Sequence, residues 1–170
     1  MNKRSIIYII HVSESILNGI IRDEIMRETS TKRFNLSGEH TNFRGFIVYK
    51  TKMFGYSNPS TNPFIKLHIS CINVDDSDLK SKLILKRVDG EPFEVHRAIA
   101  IVFAVVMAIV SSYQILNHGF MDFVVFSILP IFGIIYYFIV EFIAKIYFNS
   151  LCKKVEEIMQ AEGVVYNQQC

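Results

Sequence analysis

The chain has 170 residues, 51% of them apolar and 20% charged, with Lys+Arg at 18 against Asp+Glu at 16 and a formal net charge of +2. That balance argues against nucleic acid as a partner, because binding phosphate backbones needs many Lys and Arg on one face without compensating acids. The mean hydropathy of +0.29 is high for a soluble protein with so many charges. The excess sits in one place: residues 98–140 contain no Lys or Arg and a single acid, Asp122, which excludes a purely soluble globular chain. Cys71, Cys152 and Cys170 are far apart and form no C-x-x-C pair, a pattern that favours a reducing compartment.

In chain order, residues 5–12 are rich in Ile and read as a strand running into Ser13-Glu14-Ser15, with Ser13 a good helix N-cap. The competing reading of this start as a signal peptide is weak. Its apolar core is only residues 6–12, contains His11 and is followed by no small-residue cleavage pattern. Ile16, Leu17, Ile20, Ile21 and Ile25 then recur at helical spacing against Arg22, Asp23, Glu24 and Arg27, so residues 15–28 are expected to form an amphipathic helix. Residues 29–42 are polar and read as a loop.

Three strands are expected next, at residues 44–54, 64–74 and 79–88, each ended by a cluster of Gly, Pro, Asn, Asp or Ser. Their spacing predicts an antiparallel β-meander. In the second, Ile65, Leu67, Ile69 and Cys71 share one face and Lys66, His68 and Ser70 the other; in the third, Leu79, Leu83 and Leu85 oppose Lys80, Lys82 and Lys86. One face is buried and one is wet.

The apolar stretch divides at Asn117-His118-Gly119 into residues 98–116 and 120–140. About 20 residues at 1.5 Å each cross a hydrocarbon core of roughly 30 Å, and so short a connection joins antiparallel neighbours. A two-helix transmembrane hairpin is therefore expected. Lys86, Arg87 and Arg97 precede it, Lys145, Lys153 and Lys154 follow it, and the turn between has no basic residue. By the positive-inside rule both termini lie in the cytoplasm and the hairpin in the inner membrane. Beyond it, Phe148, Leu151, Val155, Ile158 and Met159 form an apolar stripe with no Gly or Pro before Gly163. This long C-terminal helix, residues 141–162, is expected to return its apolar side to the sheet, the alternative being a helix lying on the membrane surface. The fold class expected is an α+β membrane protein: a cytoplasmic domain of residues 1–97, a hairpin of residues 98–140, and a helix and tail of residues 141–170.

Phe43-Arg44-Gly45 opening the meander, Asn62-Pro63-Phe64 opening the next strand and Pro92-Phe93 before the first span carry a resemblance to a loose set of small bacterial membrane proteins. These proteins have an α+β cytoplasmic domain and a transmembrane helical hairpin. The resemblance covers most of the chain and implies architecture, with no activity attached.

No catalytic constellation stands out. There is no G-x-S-x-G, no glycine-rich phosphate loop and no H-E-x-x-H. His68 and Cys71 are three apart in a strand and so fall on opposite faces, and His11, His40 and His96 lie on separate elements. No metal, cofactor or enzymatic activity is expected. Two surfaces remain. Lys66, His68, Lys80, Lys82 and Lys86, joined by Lys50 and Lys52, would make a basic outer sheet face suited to membrane lipid or a phosphorylated ligand, or simply to water. Ala100, Ala104, Ala108 and Ser112 stand at strict i+4 spacing along the first span and admit close helix packing, against the second span near Gly133 or in a homo-oligomer. The leading expectation is a membrane-anchored cytoplasmic sensor or binding module for a ligand or protein partner. Its rivals are an oligomerising membrane-perturbing effector of the toxin or defence type, and a structural subunit of a membrane complex.

Overall fold

The computed structural model describes residues 5–26, 34–41, 45–50, 63–74, 80–118 and 120–169, with the backbone alone for residues 115, 117, 118, 120–127, 129, 168 and 169. The fold is α+β. Its elements run β1 (Ser5–Ile10), α1 (Glu14–Met26), β2 (Leu36–Thr41), β3 (Gly45–Lys50), β4 (Ile65–Asn73), β5 (Ser81–Asp89), α2 (Glu91–His118), α3 (Phe120–Ala161) and β6 (Tyr166–Gln169). The strands form one antiparallel sheet in the order β2-β3-β4-β5-β1-β6. The chain divides into two compact units, Met1–Gly90 with Tyr147–Cys170, and Glu91–Ile146.

Alternation sets the sheet. Ile65, Leu67, Ile69 and Cys71 of β4 are buried, and Lys66, His68 and Ser70 between them are half-exposed. On β5 the buried positions are Ser81, Leu83, Leu85 and Arg87; Leu79 lies outside the described residues. Two polar side chains on this inner face of β5 have hydrogen-bond partners, although the buried Nη2 of Arg87 has none among the described residues. Ser81 Oγ donates to the Val12 carbonyl at 2.6 Å, and Arg87 Nε to Asp89 Oδ1 at 2.6 Å. Each large aliphatic side chain buried here stabilises the fold by about 1.5–3 kcal/mol.

Two helices cover the inner face. Ser13 caps α1, its Oγ accepting the Ile16 N–H at 3.4 Å, and α1 buries Leu17, Ile21 and Ile25 alongside β2 and β4. The end of α3 supplies the second cover, burying Phe148, Leu151, Val155, Ile158 and Met159. Tyr8 of β1, 1% exposed, donates its hydroxyl to Glu156 Oε1 at 2.5 Å and meets the Tyr166 ring edge-on at 5.6 Å. The apolar side of this helix thus returns to the sheet.

Two expectations are corrected. Residues 29–42 are not all loop, because Leu36–Thr41 pairs along its length with β3. The tail after residue 162 is not free either. Gly163 adopts φ of 68°, its N–H bonds the Gln160 carbonyl and that of Val164 the Met159 carbonyl, a Schellman ending that only glycine adopts without strain. This ending turns the chain back so that β6 pairs with β1. The strand expected at residues 44–54 is seen as Gly45–Lys50, residues 51–54 lying outside the described residues.

The second unit is a helical hairpin with one residue between α2 and α3. Glu91–Gln114 and Pro130–Ala161 are long and apolar enough to cross a membrane, with mean hydropathies of 2.1 and 1.8.

The Tyr8–Glu156 bond fastens α3 to β1, and Tyr8→Phe removes the donor while leaving the carboxylate half-buried. Because hydrogen bonds to charged groups contribute about 1.5–3 kcal/mol, this variant should unfold at a visibly lower temperature in detergent than the parent. A melting curve that does not move would show that the bond contributes nothing to holding the helix on the sheet.

Candidate functional site

The outer sheet face is less uniformly basic than expected. Lys66, His68, Lys82 and Lys86 do lie on it, with His68 directly opposite Lys86, and Lys80 is exposed just before β5. Ile84 and Val88 alternate with the lysines of β5, however, and register adds Ile7 and Ile9 of β1 and Ile47 of β3. The face is a mosaic of aliphatic side chains and separated cations. Lys50 does not join it. The pairs Phe46↔Ile69 and Val48↔Leu67 put the even positions of β3 on the inner face, and Lys50 shares it. Lys52 lies outside the described residues.

In the hairpin, Gly133 packs directly on Ala104. A Cβ added to Gly133 would lie 2.7 Å from the Ala104 Cβ and 2.8 Å from its Cα, so no larger residue fits without separating the helices. Ala100, Ser111, Val140 and Ala144 are buried in the same unit, and His96 Nδ1 lies 2.7 Å from the Tyr136 hydroxyl. Ala108 and Ser112, expected in the same packing row, are exposed instead. The reason is geometric. An i+4 step turns about 40° past a full turn, so the row has rotated off the contact by Ser112, and Ser111 takes the buried place.

One cavity was not anticipated. It is a cleft of about 870 Å3 between α1 and the β2–β3 edge. Glu14, Asn18 and Arg22 follow one another at i, i+4 and i+8 along its helical wall, and Glu39, His40 and Phe46 line the sheet side. His40 meets Phe46 edge-on, ring centroids 5.2 Å apart. Beside Asn18, Gly19 leaves the wall open, since a Cβ there would have nothing within 4 Å. The cleft combines an apolar floor with carboxylate acceptors and guanidinium and amide donors. Such a lining suits a small ligand bearing both charge signs. Sequence reasoning missed it because its second wall, β2, read as a loop.

Cys71 is buried on the inner face, and burial foremost, with the Glu14 carboxylate adding to it, pushes its thiol up to about 12. It stays neutral near pH 7 and is a core residue, not a nucleophile. Among the described residues no three His, Cys, Asp or Glu side chains converge on a point that would hold a metal.

Three substitutions probe these sites. Gly19→Ala adds a methyl group to open space in a helix and should stabilise the protein by about 0.5–1 kcal/mol. Destabilisation would mean that the helix wall is closed. Gly133→Leu should lower the melting temperature, overpacking costing about 1–3 kcal/mol or more, whereas Ala108→Leu should shift stability within about 0.5 kcal/mol. The reverse ranking would place the contact on the other row.

No family model, no curated protein and no solved structure matches this chain, so a functional reading rests on the hairpin, the cleft and the distribution of charge.

Proposed function

We propose that the chain is a membrane-anchored binding module, with the α2–α3 hairpin embedded in the bilayer and the sheet domain presenting the α1–β2 cleft to a small ligand outside it. The observation carrying this reading is how little of the apolar helices is covered. Only 11% and 22% of their most apolar windows are buried, and side chains such as Val102, Ile109, Tyr113 and Phe138 are 60–65% exposed. A core helix of a soluble protein of the same composition is mostly buried. Contiguous apolar surface beyond a few hundred Å2 seeks a membrane or a partner, and two helices of spanning length favour the membrane.

The pairing of β1 with β6 in one sheet supports a topology with both ends of the chain on one side of the bilayer. The basic flanks favour the cytoplasm as that side, with Arg87 contributing least because it is buried against Asp89. The effector reading gains nothing from the small-residue row, since the contact of Ala104 is met by Gly133 of the same chain.

Washed membranes extracted with alkaline carbonate should retain the protein, and release into the wash would overturn the anchor. On a background in which Cys170 is serine, His118→Cys should react with a membrane-impermeant maleimide in intact cells while Lys153→Cys, on an exposed position of α3, should not. Cys71 and Cys152 are buried and stay silent. The opposite labelling pattern reverses the orientation.

A further inference from the structure

β2 is the terminal strand of the sheet, and among the described residues no strand pairs with its outer edge. Alternate residues of such a strand turn N–H and C=O away from their neighbour. A cavity confined to the inner face would be bounded by every second residue of a strand. The α1–β2 cleft is bounded by Gly38, Glu39 and His40 in succession, and the pairs Gly38↔Val48 and Glu39↔Ile47 put the first on the inner face and the second on the outer. The cleft therefore reaches the free edge of β2, with Glu39 and His40 exposed along it.

The other wall is α1. Glu24, near the end of that helix, accepts the Phe34 N–H at 3.1 Å just ahead of β2, so helix and strand run in opposite senses along the cleft. Glu14 stands at the start of the helical wall, Asn18 one turn on and Arg22 a turn beyond that. Neither Glu14 nor Arg22 makes an ion pair among the described residues. Eight residues at 1.5 Å each separate them by about 12 Å along the helix. An extended tetrapeptide, at about 3.3 Å per residue, spans the same length. Between the walls the floor is apolar, with Ile25 and Phe46 buried.

We propose that the cleft binds a short, free-ended peptide of about four residues, laid along the β2 edge as an added antiparallel strand, its ammonium at Glu14 and its carboxylate at Arg22. The inference rests on the reading of the cleft as a ligand site and gives that ligand a chemical class. Running from Glu14 to Arg22, the peptide follows α1 and so opposes β2, as antiparallel pairing requires. Main-chain hydrogen bonds to the edge supply affinity that does not depend on peptide sequence. Asn18 offers its amide to a peptide group, and the two charged ends fix length and direction. β2 is short and polar, which discourages the long apolar strands that sheet edges attract; a tetrapeptide needs no more edge than its six residues provide.

The test uses the full chain in a neutral detergent and a pool of tetrapeptides randomised at every position, with bound peptide measured by equilibrium dialysis and mass spectrometry. Wild type should concentrate the free-ended pool. Acetylating the amino end or amidating the carboxyl end should each lower binding about tenfold, the loss of one charge-assisted hydrogen bond. Glu14→Gln should erase the effect of acetylation alone, and Arg22→Gln that of amidation alone. Methylating peptide nitrogens should weaken binding at every second position. Gly19→Leu should abolish binding in a folded protein, because it fills the cleft from a position where a Cβ meets nothing within 4 Å, whereas Lys82→Gln on the outer face should change nothing. End effects that both Gln variants leave intact, or equal binding of capped and free-ended pools, overturn the assignment of the ends. Absence of bound tetrapeptide, or single amino acids bound as tightly, overturns the peptide class. If wild type instead holds a non-peptide molecule from a small-molecule cell extract and Gly19→Leu releases it, the cleft remains a ligand site and only this inference falls. Wild type and Gly19→Leu holding the same molecules would remove the ligand site itself.

Discussion

Between Ile146 and Tyr147 a single helix changes what surrounds it. Up to that point α3 is apolar almost all round, with Phe138, Phe142 and Ile146 more than half exposed; beyond it the same helix is amphipathic, one stripe buried and Lys153 open to water. No Gly or Pro interrupts the change after Gly133, so one uninterrupted run of backbone hydrogen bonds serves both the hairpin and the core of the sheet domain. The other features depend on this dual use. Tyr8 needs Glu156 on α3, Gly163 must end the helix so that β6 reaches β1, and Lys50 meets the Tyr147 ring at the first residue of the sheet unit on α3.

The sheet is managed differently at its two faces and at its edges. The inner face is closed by two helices, and Ser81, Arg87 and Tyr8 each make a side-chain hydrogen bond there. The outer face mixes Ile7, Ile9, Ile47 and Ile84 with Lys66, Lys82 and Lys86. The edge strands β2 and β6 are short and polar, reading LSGEHT and YNQQ. Short polar edges discourage pairing with other chains, and on β2 the same polarity supplies the sheet-side wall of the cleft.

Those edges are where the sequence was hardest to read. The alternation in β4 and β5 was plain because burial on one face is recorded residue by residue, and the Ser13 cap and the Gly163 stop were plain because each acts locally. Leu36–Thr41 has one large apolar residue, a glycine and four hydrogen-bonding side chains, so nothing local marks it as extended; its pairing with β3 does. β6 is four residues long and depends on β1, more than 150 residues earlier in the chain. Lys50 was placed on the wrong face because its side depends on where β3 begins, and the i+4 row of small residues looked straight only while helical drift was ignored. The cleft required β2 and was therefore invisible.

The hairpin's internal contact bears on how it would hold together in a bilayer. In a bilayer no hydrophobic force holds helices together, so close packing of small residues and interhelical hydrogen bonds must do so. Ala104 against Gly133 supplies the first, and His96 with Tyr136 the second. Two serines on α2 are satisfied within the helix: Ser111 and Ser112 donate to the carbonyls of Met107 and Ala108, at 2.6 and 2.8 Å. Between Ile99 and Val110 the exposed side chains of α2 are aliphatic or Phe103. A polar pathway through an assembly needs polar or charged side chains to line it, and this stretch offers none to a neighbour. Such a surface is suited to lipid, and among the described residues the mixed polar and apolar lining that a ligand would need is found in the cleft of the sheet domain instead.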